Sequence, residues 1–187
     1  MESVALIIAA AISGGTPLLF AILGGILNEK AGVINLGTEG IMLVGAVISC
    51  IVFLQTENLA ITLLVSILAA GGLGLIHAFL TITLRANQIV SGLAITLFGT
   101  GLSAYLGKSI AGVALPVSVP KVQLGFLESV PVIGSIFSNL DLFIWISILL
   151  AVLLYMYMYK TSWGLHLKAV GDNPSTSDVM GISVFKV

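Results

Sequence analysis

The sequence predicts an all-α fold: a polytopic transmembrane helical bundle of about five spans. Two bulk observations and one pattern predict it. The 187 residues are 58% hydrophobic and 8% charged, with a mean hydropathy of +1.19. A soluble domain is about 25% charged, and apolar surface beyond what its core holds would aggregate in water. The pattern is one of charge gaps. Asp, Glu, Lys and Arg are absent from 3–28, 40–56, 58–84, 86–107 and 142–159. A helix crosses a bilayer in about 20 apolar residues, so the gaps place spans near 4–27, 33–55, 59–82, 88–107 and 141–159.

The first span carries Gly14–Gly15 followed by Thr16–Pro17. Proline inside a helix frees a carbonyl and predicts a kink. The N-terminus lacks the positive leader of a cleavable signal, and its apolar run is too long for one. The second span is odd because it begins in polar sequence, "EKAGVINLGTEG", with Asn35, Thr38 and Glu39 among Gly32, Gly37 and Gly40. Polar groups at membrane depth are costly and call for a reason. Two readings stay open on the residues alone. Either the stretch is broken helix lining a cavity, or it is a cytoplasmic turn with Asn35 or Thr38 capping the next helix.

The third span contains His77, where a helix–helix hydrogen bond is a simpler role than a ligand. Asn87 and Gln88 open the fourth, either facing a pathway or sitting at the interface beside Arg85. The connection from Lys108 to Leu140 holds Pro116, Pro120 and Pro131, and is expected to carry a short interfacial helix outside. With five alternating spans, Lys30, Arg85, Lys160, Lys168 and Lys186 share one side, against Lys108 and Lys121 on the other. The excess of positive charge marks the cytoplasm, which puts the N-terminus outside and the C-terminal tail inside.

The tail, 160–187, is the longest polar segment. Asn173 suits a helix N-cap and Pro174 the first helical position after a Gly171–Asp172 turn. Gly181 suits the helix end. Two turns, about 10 Å long, are not stable alone, so this helix requires a docking surface or is a plain connector.

Other chemistries lack support. The two histidines, His77 and His166, form no metal spacing and pair with no evident nucleophile, so an enzyme is not indicated. No phosphate-binding glycine loop is present, and no basic patch for nucleic acid. Cys50, in apolar sequence, reads as a packing residue.

Three blocks carry a family resemblance: "TPLLFAILGGILNEKAGVINLGTEGIMLVGA" (16–46), "ANQIVSGLAITL" (86–97) and "TSWGLHLKAVGDNPSTSDVMGISV" (161–184). In this order they resemble the permease subunits of bacterial ABC importers, in the nucleoside and simple-sugar branch related to ribose and branched-chain amino-acid permeases. The resemblance implies a multi-pass permease of the bacterial inner membrane, surrounded by lipid. It works with ATP-binding subunits, a second permease and an external substrate-binding protein. ATP is bound by a partner, and the chain itself needs no cofactor or metal. Nucleosides are the implied cargo, with ribose-like sugars as the alternative. Asn35, Thr38, Glu39, Asn87 and Gln88 become pathway candidates. Gly171, Asn173, Pro174, Thr176, Ser177 and Gly181 become the loop that couples to the ATPase. Thr176–Ser177 replace two alanines usual in the family, and Lys168 stands where Arg is common. The family's chains are longer, so this one is expected to be an N-terminal fragment or a truncated gene, with the remaining spans absent. An intramembrane enzyme using Glu39 or His77, or a membrane scaffold that transports nothing, are the competing readings.

Overall fold

The computed structural model describes residues 2–115 and 140–184. Most of the expected 108–140 connection, including its interfacial helix, lies outside the described residues. Among the described residues seven α-helices run in order: α1 (Glu2–Lys30), α2 (Thr38–Thr56), α3 (Leu59–Ala78), α4 (Gln88–Gly107), α5 (Leu142–Lys160), α6 (Ser162–Asp172) and α7 (Pro174–Val179). A π-helical turn, Phe79–Thr83, extends α3. Five of these segments are long and apolar enough to cross a membrane: Ile7–Lys30, Thr38–Thr56, Leu59–Thr83, Gln88–Gly107 and Leu142–Lys160. Between 11% and 22% of each span is buried within the chain. Most apolar side chains therefore face outward, as lipid permits and water does not.

The described residues form two compact units, 28–115 and the combination of 2–27 with 140–184. In the first, α2 packs against both α3 and α4. Its buried apolar residues are Val44, Val47, Leu73 and Ile95. The α2–α3 connection is short because Glu57 turns at φ 51° and Asn58 caps α3 at once. The Asn58 side-chain oxygen accepts from the Ala60 and Ile61 amides at 3.0 and 3.2 Å.

The α2–α4 crossing is made by glycines. A Cβ at Gly99 would lie 2.5 Å from the Gly40 carbonyl oxygen, and one at Gly40 would lie 2.6 Å from that of Ile95. Such backbone approach is how helices associate in lipid, where dispersion and weak polar contacts replace the hydrophobic effect. Ser103 adds a bond across the crossing, its hydroxyl donating to the Leu43 carbonyl at 3.2 Å.

In the second unit α1 runs as helix through Pro17, and the Thr16 hydroxyl donates to the Ile12 carbonyl at 2.9 Å. Ala9 is buried with Leu140 and Ile144. Thr161 joins α5 to α6 with one hydroxyl, which donates to the Tyr157 carbonyl at 2.6 Å and accepts from the Gly164 amide at 3.1 Å. Gly164 lies against the backbone of Tyr157 and Met158, where a side chain would not fit.

Candidate functional site

The polar stretch of the second span is not helical before Thr38. Residues 31–37 lie between α1 and α2 as two turns, 31–32 and 36–37, around an irregular 33–35, so α2 starts later than the apolar pattern placed it. Gly32 ends α1 in the left-handed region at φ 81°. The Gly32 amide donates to Glu29 at 3.0 Å and the Val33 amide to Asn28 at 2.9 Å. These two bonds are the Schellman closure that glycine favours.

Beyond the turn the backbone is held by side chains of α3 and α4. The Ile34 amide donates to Gln88 Oε1 at 2.7 Å. Gln88 Nε2 donates to the Gly32 carbonyl at 3.4 Å. The Ile34 carbonyl accepts from His77 Nε2 at 3.2 Å, and the Leu36 carbonyl accepts from the Thr96 hydroxyl at 2.7 Å. Each second carbonyl, 32, 34 and 36, is thus satisfied by a side chain. Backbone groups without a helical partner must be paired in this way when water is excluded.

Asn35 and Thr38 are used locally. Asn35 Oδ1 accepts from the Gly37 amide at 2.8 Å, and the Thr38 hydroxyl donates to the Asn35 carbonyl at 3.2 Å. Neither is the N-cap of α2. That position is Gly37, which caps with no side-chain bond. Glu39 is exposed in the first turn of α2, where a carboxylate is favoured by the helix dipole. The glycines divide the work: Gly32 turns the chain, while Gly37 and Gly40 let it approach α4.

Asn87 is the N-cap of α4, its Oδ1 accepting from the Ile89 and Val90 amides at 3.0 and 3.2 Å. Asn87→Ala is expected to destabilise the chain by about 1 kcal/mol, read as a lowered thermal midpoint of the detergent-solubilised chain.

The structure brings Asn35, Thr38 and Gln88 together with three residues the pathway prediction did not include: His77, Ser91 and Thr96. A signal for the α4 partners was present. Ser91, Gly92, Ile95 and Gly99 are the buried residues of α4, and their spacing is one helical face.

The tail set lies in the other unit. Gly171 and Asp172 complete α6 instead of forming a turn. Asn173 then serves both helices, ending α6 and capping α7 through Oδ1, which accepts from the Thr176 amide at 3.0 Å. Pro174 begins α7. Gly181, at φ 84°, closes it with amides of Gly181 and Ile182 donating to Asp178 and Ser177 at 3.0 and 2.9 Å. Ser177 is buried, while Thr176 is exposed. Val179 and Met180, at 87% and 76% exposure, form an apolar tip.

Comparisons with known proteins show the family. The family described as "Branched-chain amino acid transport system / permease component" matches residues 7–187. A Haloferax volcanii protein, provisionally named glucose ABC transporter permease protein TsgC13, is 36% identical over 95% of this chain and 55% of its own length. The guanosine ABC transporter permease protein NupQ of Bacillus subtilis is 35% identical over 100% of this chain and 62% of its own. The nucleoside ABC transporter permease protein NupC of Lactococcus lactis is 32% identical over 99% of this chain and 62% of its own. The chain therefore spans just over half the length of these curated relatives, which are named as transporter permeases and not as enzymes. No solved structure matches it. With five helices among the described residues long and apolar enough to cross a membrane, and a family match across nearly its whole length, the chain is an integral membrane protein of the ABC transporter permease family.

Proposed function

We propose that this chain forms part of the permease of an ATP-driven importer for nucleosides. The observation that carries the cargo class is the match to NupQ and NupC over essentially the full chain. Within that reading the 31–37 segment and the start of α2 lie beside the translocation pathway, with Asn35, Thr38, Glu39 and Gln88 as its polar lining. Non-helical polar backbone held by neighbouring helices, here between two spans, is the kind of backbone transporters place at solute and ion paths. The tail carries α7 as a coupling element. Two capped turns with an apolar tip, Val179 and Met180, fit a groove on an ATP-binding subunit. ATP is bound there, not by this chain. A second permease and an external substrate-binding protein complete the importer. The Lys and Arg bias supports a cytoplasmic tail and an outside N-terminus.

A sugar importer is the second reading, favoured by the match to TsgC13. One experiment separates the two. Cells carrying the whole locus are assayed for uptake of radiolabelled uridine, adenosine, guanosine, ribose and glucose, with and without Glu39→Gln. Nucleoside uptake that falls at least about tenfold in the mutant, at unchanged membrane abundance and ATPase association, is expected. Uptake of sugar alone would move the cargo to the second reading. Unaltered nucleoside uptake in the mutant would remove Glu39 from the pathway.

A further inference from the structure

His77 is 2% exposed, in a helix that is otherwise apolar around it. Both its ring nitrogens are engaged. Nε2 meets the Ile34 carbonyl at 3.2 Å, and Nδ1 meets Ser91 Oγ at 3.2 Å. A carbonyl only accepts, so Nε2 carries the hydrogen. In the Nε2–H tautomer, Nδ1 accepts from the Ser91 hydroxyl. The ring is a bridge running from α4 through α3 to the segment before α2.

The same residue is held at both of its backbone groups. Ile34 gives its amide to Gln88 and its carbonyl to His77. The remaining side-chain holds on the segment, Gln88 and Thr96, come from α4. His77 alone among these ties it to α3. The helix end that carries His77 is itself unusual. Phe79–Thr83 winds as a π-helix, and the Thr81 hydroxyl donates to the His77 carbonyl at 2.8 Å. π-Turns within α-helices recur at functional positions. A sliding of α3 against α4 would pull on Ile34 before it reached any other residue of the segment.

We propose that His77 is a positioning residue: through Ile34 it sets where Asn35 and Thr38 stand at the pathway. The proposal rests on the pathway reading given above. His77 touches no solute. Its imidazole transmits the relative placement of α3 and α4 to the polar segment, one donor and one acceptor at a time. A glutamine can imitate both roles, with an N–H for Ile34 and a carbonyl for the Ser91 hydroxyl. A leucine can imitate neither.

Cys50 is the only cysteine, so a reporter thiol can be installed cleanly. The test uses the whole importer in membrane vesicles, with Cys50→Ser and Thr38→Cys in this chain. The rate of maleimide labelling at position 38 is measured with and without a saturating mixture of uridine, adenosine, guanosine and glucose. His77→Leu is expected to change that rate about fivefold and to raise the uptake KM about tenfold. His77→Gln is expected to restore both to within about twofold. A reporter at the far end of α2, Thr56→Cys, should label at the same rate in all variants. Ser91→Ala removes a single hydroxyl and is expected to shift labelling at position 38 about threefold. Absence of any such shift overturns the proposal, even where His77→Leu fails to accumulate. Solute protection at position 38 with no response to His77→Leu removes the positioning role alone. If the mixture gives no protection in the His77 chain, the pathway reading falls and takes the proposal with it.

Discussion

Gly99→Ala is expected to destabilise the chain by about 3 kcal/mol, at the upper end for overpacking a closed site. The added methyl would sit 2.5 Å from the Gly40 carbonyl oxygen and 2.7 Å from its Cα. Backbone cannot swing aside as a flexible side chain can, so α2 and α4 must separate. Separation would also stretch the Thr96 bond to Leu36 and the Ser103 bond to Leu43. The comparison that isolates this effect is Gly71→Ala. No atom lies within 4 Å of a Cβ at Gly71, and alanine there gains up to about 1 kcal/mol of helix propensity. Thermal midpoints of the detergent-solubilised chain, followed by fluorescence-detected size exclusion, should therefore fall for Gly99→Ala and stay level or rise for Gly71→Ala. Equal midpoints for the two would mean that the α2–α4 crossing is looser than described.

The double substitution Val179→Asp with Met180→Asp is expected to cut co-purification of the ATP-binding subunit by more than about tenfold, equivalent to about 1.4 kcal/mol of binding. Both side chains are largely exposed, so the fold of this chain loses little. An apolar tip seated in a partner's groove would lose its burial and gain two unpaired charges. Membrane abundance of the permease should not change. Association that survives both aspartates would show that α7 does not enter the ATPase. A second, milder variant tests the cap. Asn173→Ala weakens α7 by about 1 kcal/mol without altering the tip, and should lower ATP-driven uptake more than it lowers association.

Much of this was legible before any coordinates. The spans follow from charge gaps because a charged side chain in hydrocarbon is costly and the bilayer sets the length a helix must have. The ends of α7 follow from Asn173, Pro174 and Gly181, since each solves a local backbone problem that arises at a helix terminus whatever surrounds it. The same locality explains the partial miss beside it. Gly171 reads as a turn residue, yet α6 continues through it, because burial of Leu167 and Val170 holds that last turn in place.

The opening question of the second span was decided elsewhere. Asn35, Thr38 and Glu39 announce that something polar happens before α2, and Gly32 announces a turn. What the segment does next depends on residues 43 to 60 positions away: His77, Gln88 and Thr96. The helix–helix hydrogen bond expected of His77 is there, to Ser91, but its second bond, to Ile34, is not legible locally. Gln88 reads equally as a pathway or an interfacial residue, and Thr96 carries no local signal. The sequence by itself determined the membrane-spanning α-helical class, the five spans seen among the described residues and the capped ends of α7, since those depend on composition and on near neighbours. Only the tertiary structure decided that residues 31–37 leave the helix and are held on edge by side chains. Backbone amides and carbonyls that lack a helical partner must find one through space, and sequence distance does not constrain which one they find.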